Sequence, residues 1–283
     1  MIIQIRPLST QEEICGVEQL QRDVWDLPNI EVVPLHVLLT AAKNGGLLLG
    51  AFDGATLAGF VFGFPGLTRD GKLKHCSHMA GVHPAYRDRG VGYSLKLAQR
   101  LHVLAQGIDL ITWTFDPLET RNATLNFHKL GAVCKTYIPN LYGEMRDGLN
   151  AGLPSDRFQV DWWIASERVA QRLAGQPPSS SPLGRGRTEA ETPILANIAS
   201  ALPSGPLPSE GGAGGGLIAI PTDFQSLKIA DIEQARALRL RTRSLFKAAF
   251  SMGYCITDFL VDGERGYYLI QKRLDLSSEK GPI

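Results

Sequence analysis

The string Arg87-Asp88-Arg89-Gly90-Val91-Gly92 joins residue types that together suit a phosphate group. It lies between a stretch expected to be a strand, residues 73–82, and an expected helix over residues 90–104. A helix amino terminus leaves N–H groups unpaired and carries a partial positive charge, which suits a pyrophosphate. Glycine at 90 and 92 removes side chains that would hold a phosphate away from the backbone, and Arg87 and Arg89 add positive charge at the rim. Taken alone, the string is equally a glycine-containing turn ahead of an ordinary helix. It fits neither the dinucleotide fingerprint, which wants a third glycine and an acidic residue about 20 positions on, nor the Gly-Lys-Ser/Thr triphosphate loop.

Groups able to move protons lie nearby in the chain. His78 sits on the 73–82 strand, and an imidazole neutral near pH 7 suits proton removal; a strand histidine bonded to a neighbouring loop is the alternative. His75, three positions away, is expected on the opposite face. Asp116 and Glu119 follow the next strand and could bind an amine, act through water, or cap the helix around Asn122. Tyr142 and Cys134 are candidate proton donors, although Tyr142 is equally a half-buried packing residue. Asp156 and Arg157 read as a loop ion pair or as a contact to an acidic acceptor.

The elements that must position these groups alternate. A β-branched run at residues 2–6 is followed by a helical face over 10–25. Strands at 46–52 and 56–64 flank an Asp53-Gly54 turn. The helix over 90–104 offers Val91, Leu95, Leu97, Ala98, Leu101 and Leu104 as its apolar side. A strand at 110–115, a helix at 123–130 ended by Gly131, and strands at 132–138 and 158–164 complete a mixed α/β domain over residues 1–174. Residues 175–216 hold nine Gly, seven Pro and six Ser, too little apolar surface to offset their ordering entropy, and are expected to be a linker or mobile loop, with a short helical turn at 193–202. Residues 217–283 read as a small strand, helix and hairpin unit, with the helix over 230–252, packing on the first domain or on another subunit. Phe246 to Tyr254 echoes Phe127 to Ala132, a helix ended by Leu/Met-Gly and followed by a strand, a hint of an internal half-repeat.

Composition narrows the partners. The 283 residues carry a net charge of +1, which does not support a protein built around a phosphate backbone. The arginines at 236, 239, 241 and 243 with Lys247 are expected mostly around one solvated helix surface. Cys15, Cys76, Cys134 and Cys255 form no zinc spacing and read as buried thiols in a reducing compartment. With no apolar run of about 18 residues and no signal-peptide pattern, the expectation is a cytoplasmic protein without metal, nucleic acid or membrane.

The Arg87–Gly92 string resembles motif A of the GCN5-related N-acetyltransferase superfamily, Gln/Arg-x-x-Gly-x-Gly/Ala, whose amides hold the pyrophosphate of acetyl-coenzyme A. Val82-His83-Pro84-Ala85-Tyr86-Arg87 is similar to that family's strand-to-loop approach. Asn122-Ala123-Thr124-Leu125-Asn126-Phe127-His128-Lys129-Leu130-Gly131-Ala132 is similar to its second cofactor segment. The resemblance covers roughly residues 2–165 in the right element order. A narrower likeness, through Ser77-His78-Met79, residues 112–118, Arg121-Asn122-Ala123, residues 140–143 and Ser155-Asp156-Arg157, is to a poorly characterised bacterial branch of predicted acetyltransferases.

The resemblance implies a mixed, mostly antiparallel central sheet flanked by helices. It implies transfer of an acetyl group from acetyl-CoA, or another short acyl-CoA, to a small-molecule or amino-terminal amine by direct attack. The cofactor-binding residues it implies are Gly81, Val82, Arg87, Asp88, Arg89, Gly90, Val91, Gly92, Tyr93, Asn122 and Phe127. The catalytic candidates are His78, Glu119 and Tyr142. Arylalkylamine acetyltransferases carry a histidine at a place similar to His78. Many family members place a tyrosine where this chain has Phe127, and it protonates the departing thiolate; that departure leaves room for a non-catalytic coenzyme A-binding, sensing or assembly module. A homodimer is an open expectation.

Overall fold

The computed structural model describes residues 2–8, 10–143, 145, 151–175 and 215–272. Most of the expected 175–216 linker, including the helical turn at 193–202, lies outside the described residues. The chain divides into two compact units, one of residues 1–113 with 142–154 and one of residues 114–141 with 155–283. Both are mixed α/β, with mostly antiparallel strands and flanking helices, the fold class expected from the sequence.

In the first unit, β1 (Ile3–Pro7), β2 (Leu47–Asp53), β3 (Thr56–Leu67) and β4 (Leu73–Val82) pair antiparallel in that order. β5 (Leu110–Phe115) pairs parallel to β4 through His75–Ile111 and Cys76–Thr112. Alternation along β2 sorts its side chains between two helical layers. Leu48 and Phe52 join Phe60, Phe62, Ile14, Val17, Leu20 and Leu38 beneath α1 (Gln11–Trp25) and α2 (Leu35–Lys43). Leu47, Leu49 and Ala51 join Val61, Val91 and Leu95 beneath α3 (Val91–Ala105). Thr10 and Glu13 start α1 with a reciprocal capping box. The helix α2 is absent from the sequence expectations because Pro28 and Pro34 mask it, though Leu35, Leu38, Leu39 and Ala42 carry helical spacing.

One irregularity in β4 matters for the site. Phe62 faces Met79 and Gly63 faces Ser77, so His78 has no opposite number and forms a bulge. Glycine is required at 63, because a Cβ would overlap His75 Nε2 and stand 2.6 Å from the Cys76 carbonyl oxygen.

The second unit orders its strands β7 (Arg157–Trp163), β6 (Val133–Ile138), β9 (Tyr254–Asp262), β10 (Arg265–Lys272), β8 (Gly216–Pro221). The helix expected at 123–130 is one α-turn, α4 (Thr120–Ala123), continuing as a π-helical turn over Thr124–Lys129. After α5 (Glu167–Leu173), the helix expected at 230–252 is α7 (Ile232–Ser251), and an additional short helix, α6 (Phe224–Ala230), precedes it across a break at Asp231. Asp231 causes the break: its backbone is extended and its carboxylate accepts from the Gln234 N–H, capping α7.

Gly131 and Gly253 both follow a helix with positive φ, 71° and 81°, and each opens an antiparallel hairpin, β6–β7 and β9–β10. The two hairpins meet at Cys134–Ile256, each residue three beyond its glycine. Equivalent positions facing one another across an antiparallel pair define a local pseudo-two-fold axis.

The core of this unit is aromatic and ionic. Phe158 packs against Phe115, Phe246 and Tyr268 with ring centroids 5.8, 4.7 and 5.5 Å away. Arg239, 2% exposed, donates two 2.6 Å hydrogen bonds to Asp116. One turn on, Arg243 grips Asp156 at 2.7 and 2.8 Å, and Tyr137 donates to the same carboxylate at 2.6 Å. The arginine run is therefore not a uniformly solvated surface: Arg236, Arg241 and Lys247 are exposed, while Arg239 and Arg243 turn inward at i, i+4 spacing. Arg239→Ala strands a buried carboxylate and should lower unfolding stability by about 3–5 kcal/mol. Urea denaturation would read that loss, and Asp116→Leu combined with Arg239→Met should lose less than Arg239→Ala alone.

Candidate functional site

The loop after β4 is built by its own side chains. His83 Nδ1 accepts from the Ala85 N–H at 3.2 Å, starting a short 3-10 turn over Pro84–Tyr86. Arg87 Nη2 donates to the Val24 carbonyl at 3.2 Å, which ties the loop to the end of α1, and Arg89 lies 5.7 Å from the Tyr86 ring. Asp88 and Gly90 take positive φ, 61° and 79°, turning the chain sharply into α3.

The first α3 hydrogen bond runs from Ser94 N–H to the Gly90 carbonyl, so the Val91, Gly92 and Tyr93 amides precede the helical ladder. No side chain caps this end and no acidic residue occupies its first turn. A Cβ at Gly90 would meet nothing within 4 Å, and one at Gly92 only Val82 at 3.6 Å, so both positions are uncrowded on their Cβ side. Such an end fits a pyrophosphate, with amides and the helix dipole as ligands.

Beside this loop the sheet opens. Cys76–Thr112 is the last registered β4–β5 pair, yet β4 continues six residues further to Val82. Along that reach its β5-side edge carries peptide groups without a strand partner from β5.

His78 lies in the bulge on this same stretch. It is exposed to solvent and set against two rings, Phe62 at 6.0 Å and Phe64 at 5.8 Å. It makes no hydrogen bond to a described residue, and partial burial of its ring lowers its pKa, so the neutral imidazole prevails near pH 7. His75 points to the opposite face, as the alternation predicts: it is fully buried and lies 3.1 Å from Gln99 Nε2. Burial pulls His75 down to about 4, helped by the positive charges of Lys96 and His102.

The remaining expected residues are distributed as follows. Gly81 is a packing glycine, since a Cβ there would stand 3.0 Å from both Phe60 and Trp25, and Val82 packs in the α3 layer. Tyr142 is in a turn of the first unit and 54% exposed, not half-buried against a core. Asn122 is exposed in α4, and Phe127 is fully buried against Phe115 and Tyr268. Glu119 holds the N-cap position of α4 without capping it; its carboxylate accepts from Gln225 instead, and burial raises its pKa. Asp116 is occupied by Arg239, with Arg157 3.8 Å away, and is not open to an amine. Of the cysteines only Cys134 and Cys255 are buried; Cys76 is half-buried and Cys15 exposed.

Sequence reasoning missed the polar interior beneath β4. The inner face of α3 is Val91, Leu95, Lys96, Gln99 and Val103, whereas Leu101 of the expected apolar side is 65% exposed. The i, i+4 row Leu95, Gln99, Val103 was the available signal. Among the described residues there is no cluster of three or more His, Cys, Asp or Glu able to hold a metal, and no helix is long and apolar enough to cross a membrane.

No protein-family model matches the chain, and no curated protein matches it by sequence. Among solved structures, it is similar to the NatC complex bound to Gag peptide and CoA, with 16% identity over 57% of this chain and 98% of that one, at a TM-score of 0.47. It is similar to the ribosomal-protein-S18-alanine N-acetyltransferase from Escherichia coli, with 14% identity over 58% of this chain and 94% of that one, at 0.46. A putative acetyltransferase from Salmonella typhimurium with its cofactor acetyl-CoA shows 16% identity over 58% of this chain and 95% of that one, at 0.45. Likenesses at this level carry no weight for what this chain binds or does.

Two histidines on one strand should titrate differently. A side-chain NMR titration should find His75 protonating only near pH 4 and His78 below the ordinary 6.5. Between pH 6.5 and 4 the unfolded chain binds a proton at His75 that the folded chain refuses, so stability falls as pH drops through that window. His75→Gln should flatten that slope.

Proposed function

We propose that the chain is an acyl-CoA-dependent N-acyltransferase that carries an acetyl group from acetyl-CoA to an amine by direct attack. One observation carries the reading: in a single unit, an uncapped, glycine-led helix amino terminus directly follows a bulged strand whose edge has lost its partner. The Val91, Gly92 and Tyr93 amides would take the pyrophosphate, and the free edge of β4 would pair with the amide-bearing arm that leads to the thioester. Bound acetyl-CoA supplies an activated acyl carbon and a thiolate leaving group.

His78 is the base in this reading, since its neutral imidazole can accept the proton that an acceptor ammonium must lose. Phe62 and Phe64 hold the imidazole and keep part of its surface dry. The exposed Tyr142 phenol, in the same unit as His78, is the candidate donor to the departing thiolate. Arg87, bonded to Val24, fixes the loop, and Arg89 supplies charge at its rim. The acceptor is proposed as a small-molecule or amino-terminal amine.

Phe127, buried among rings where a phenol would serve as acid, favours a second reading: a module that binds coenzyme A without turnover. Calorimetry and a thiol-release assay across amines separate the two. Acetyl-CoA should bind the full chain, and Gly92→Val should weaken binding at least about tenfold, which is 1.4 kcal/mol. His78→Ala should lower kcat about a hundredfold. Binding without thiol release would select the module, and a folded chain with no affinity for any short acyl-CoA would remove both.

A further inference from the structure

The residues that immediately follow the last β4–β5 pair are Ser77 and Trp113, and a single α3 side chain touches both. Lys96 Nζ donates to Ser77 Oγ at 2.7 Å and lies 4.0 Å from the centre of the Trp113 ring. A further bond from Nζ reaches Gln99 Oε1 at 3.2 Å, and Gln99 in turn accepts from the Ser77 hydroxyl at 3.0 Å and faces His75. Lys96 is only 4% exposed, and its hydrogen-bond partners, Ser77 and Gln99, include no carboxylate.

Burying an ammonium without a counter-ion is expensive, and burial pulls Lys96 down to about 7. A methionine would fill similar space without that cost, as Val91 and Leu95 do on the same helix face. It would leave the Ser77 and Gln99 oxygens without their shared donor and give nothing to hold against the indole. What the lysine alone provides is a polar tip that grips one strand through a hydroxyl and the other through a ring face. Ser77 also directly precedes the bulged His78, so the same contact anchors the strand on one side of the bulge.

We propose that Lys96 is a positioning residue of the acyl-CoA site, a strut from α3 that spans the apex of the β4–β5 fork and keeps the β4 edge open beyond it. The inference rests on the acyltransferase reading above. The other titratable groups near the strut are His75 from β4 and His102 from α3; on the β5 side the contact is the neutral Trp113.

The test compares wild type, Lys96→Met and Lys96→Arg as full-length chains. Coenzyme A affinity is measured by calorimetry between pH 6 and 8.5, thermal unfolding is followed in parallel, and hydrogen exchange is followed at the amides of residues 77–82 without ligand. A strut predicts that Lys96→Met folds at least as stably as wild type, binds coenzyme A about tenfold or more weakly, and protects the 77–82 amides as the fork closes. It also predicts that wild type shows a change in affinity near pH 7 which Lys96→Met lacks, and that Lys96→Arg restores part of the affinity. Should Lys96→Met fail to fold, Ser77→Ala removes only the β4 anchor and should show the same loss to a smaller degree. Unchanged affinity, pH profile and exchange in the variants would overturn the strut and leave the acyltransferase reading standing. Wild-type protein without affinity for coenzyme A would overturn both.

Discussion

Two parallel strands that pair for two residues and then part create a local problem that the rest of the first unit answers. Peptide groups on β4 beyond Cys76 have no β5 partner, and a sheet does not tolerate such an edge without something to manage it. Three features converge on that edge. A bulge at His78 alters the pleat, Gly63 lets β3 and β4 approach closely, and the β4 chain leads directly into an uncapped helix end. Beneath them lies a polar interior where an apolar one would be easier to build. Each feature runs against ordinary packing, and rules are commonly broken together where a site needs room.

The second unit manages polarity differently. Several of its buried charges come in closed sets: Asp116 with Arg239, Asp156 with Arg243 and Tyr137, and Asp258 with Arg172 at 2.9 Å and His128 at 3.1 Å. Burial pushes the Asp258 carboxyl up, but the hydrogen bond to His128 and then the Arg172 charge outweigh it and hold Asp258 below the usual carboxylate range. These sets join segments far apart in sequence, α7 to the stretch after β5 and to the start of β7, and so they specify how the unit's pieces fit. They engage Asp116 and Asp156, two acidic residues that composition alone would offer as substrate contacts.

Most of the strands and the long helices were legible because their signals are local. The continuous apolar run of β2, the Asp53-Gly54 turn, and the glycines that lead into α3 and open β6 and β9 are written in neighbouring residues. What escaped depends on distant partners. Nothing near Arg239 shows that it faces Asp116, 123 positions away. Lys96 drew no reading from the sequence, because its role exists only once Ser77 and Trp113 are placed around it. The bulge at His78 was illegible for the same reason, since it exists only relative to β3. His78 itself was legible as a type and a position, and the structure adds its neighbours: two phenylalanines and no hydrogen-bonded loop.

The pseudo-two-fold meeting of β6 and β9 has a chemical corollary. When two copies of one chain associate about a true two-fold axis, whatever residue lies on the axis must face itself, and any change is made twice. Here both halves are encoded separately, and the residues at the meeting point already differ: a thiol, Cys134, on one side and an aliphatic chain, Ile256, on the other. One half can therefore be tuned, in charge, volume or reactivity, while the other is left alone.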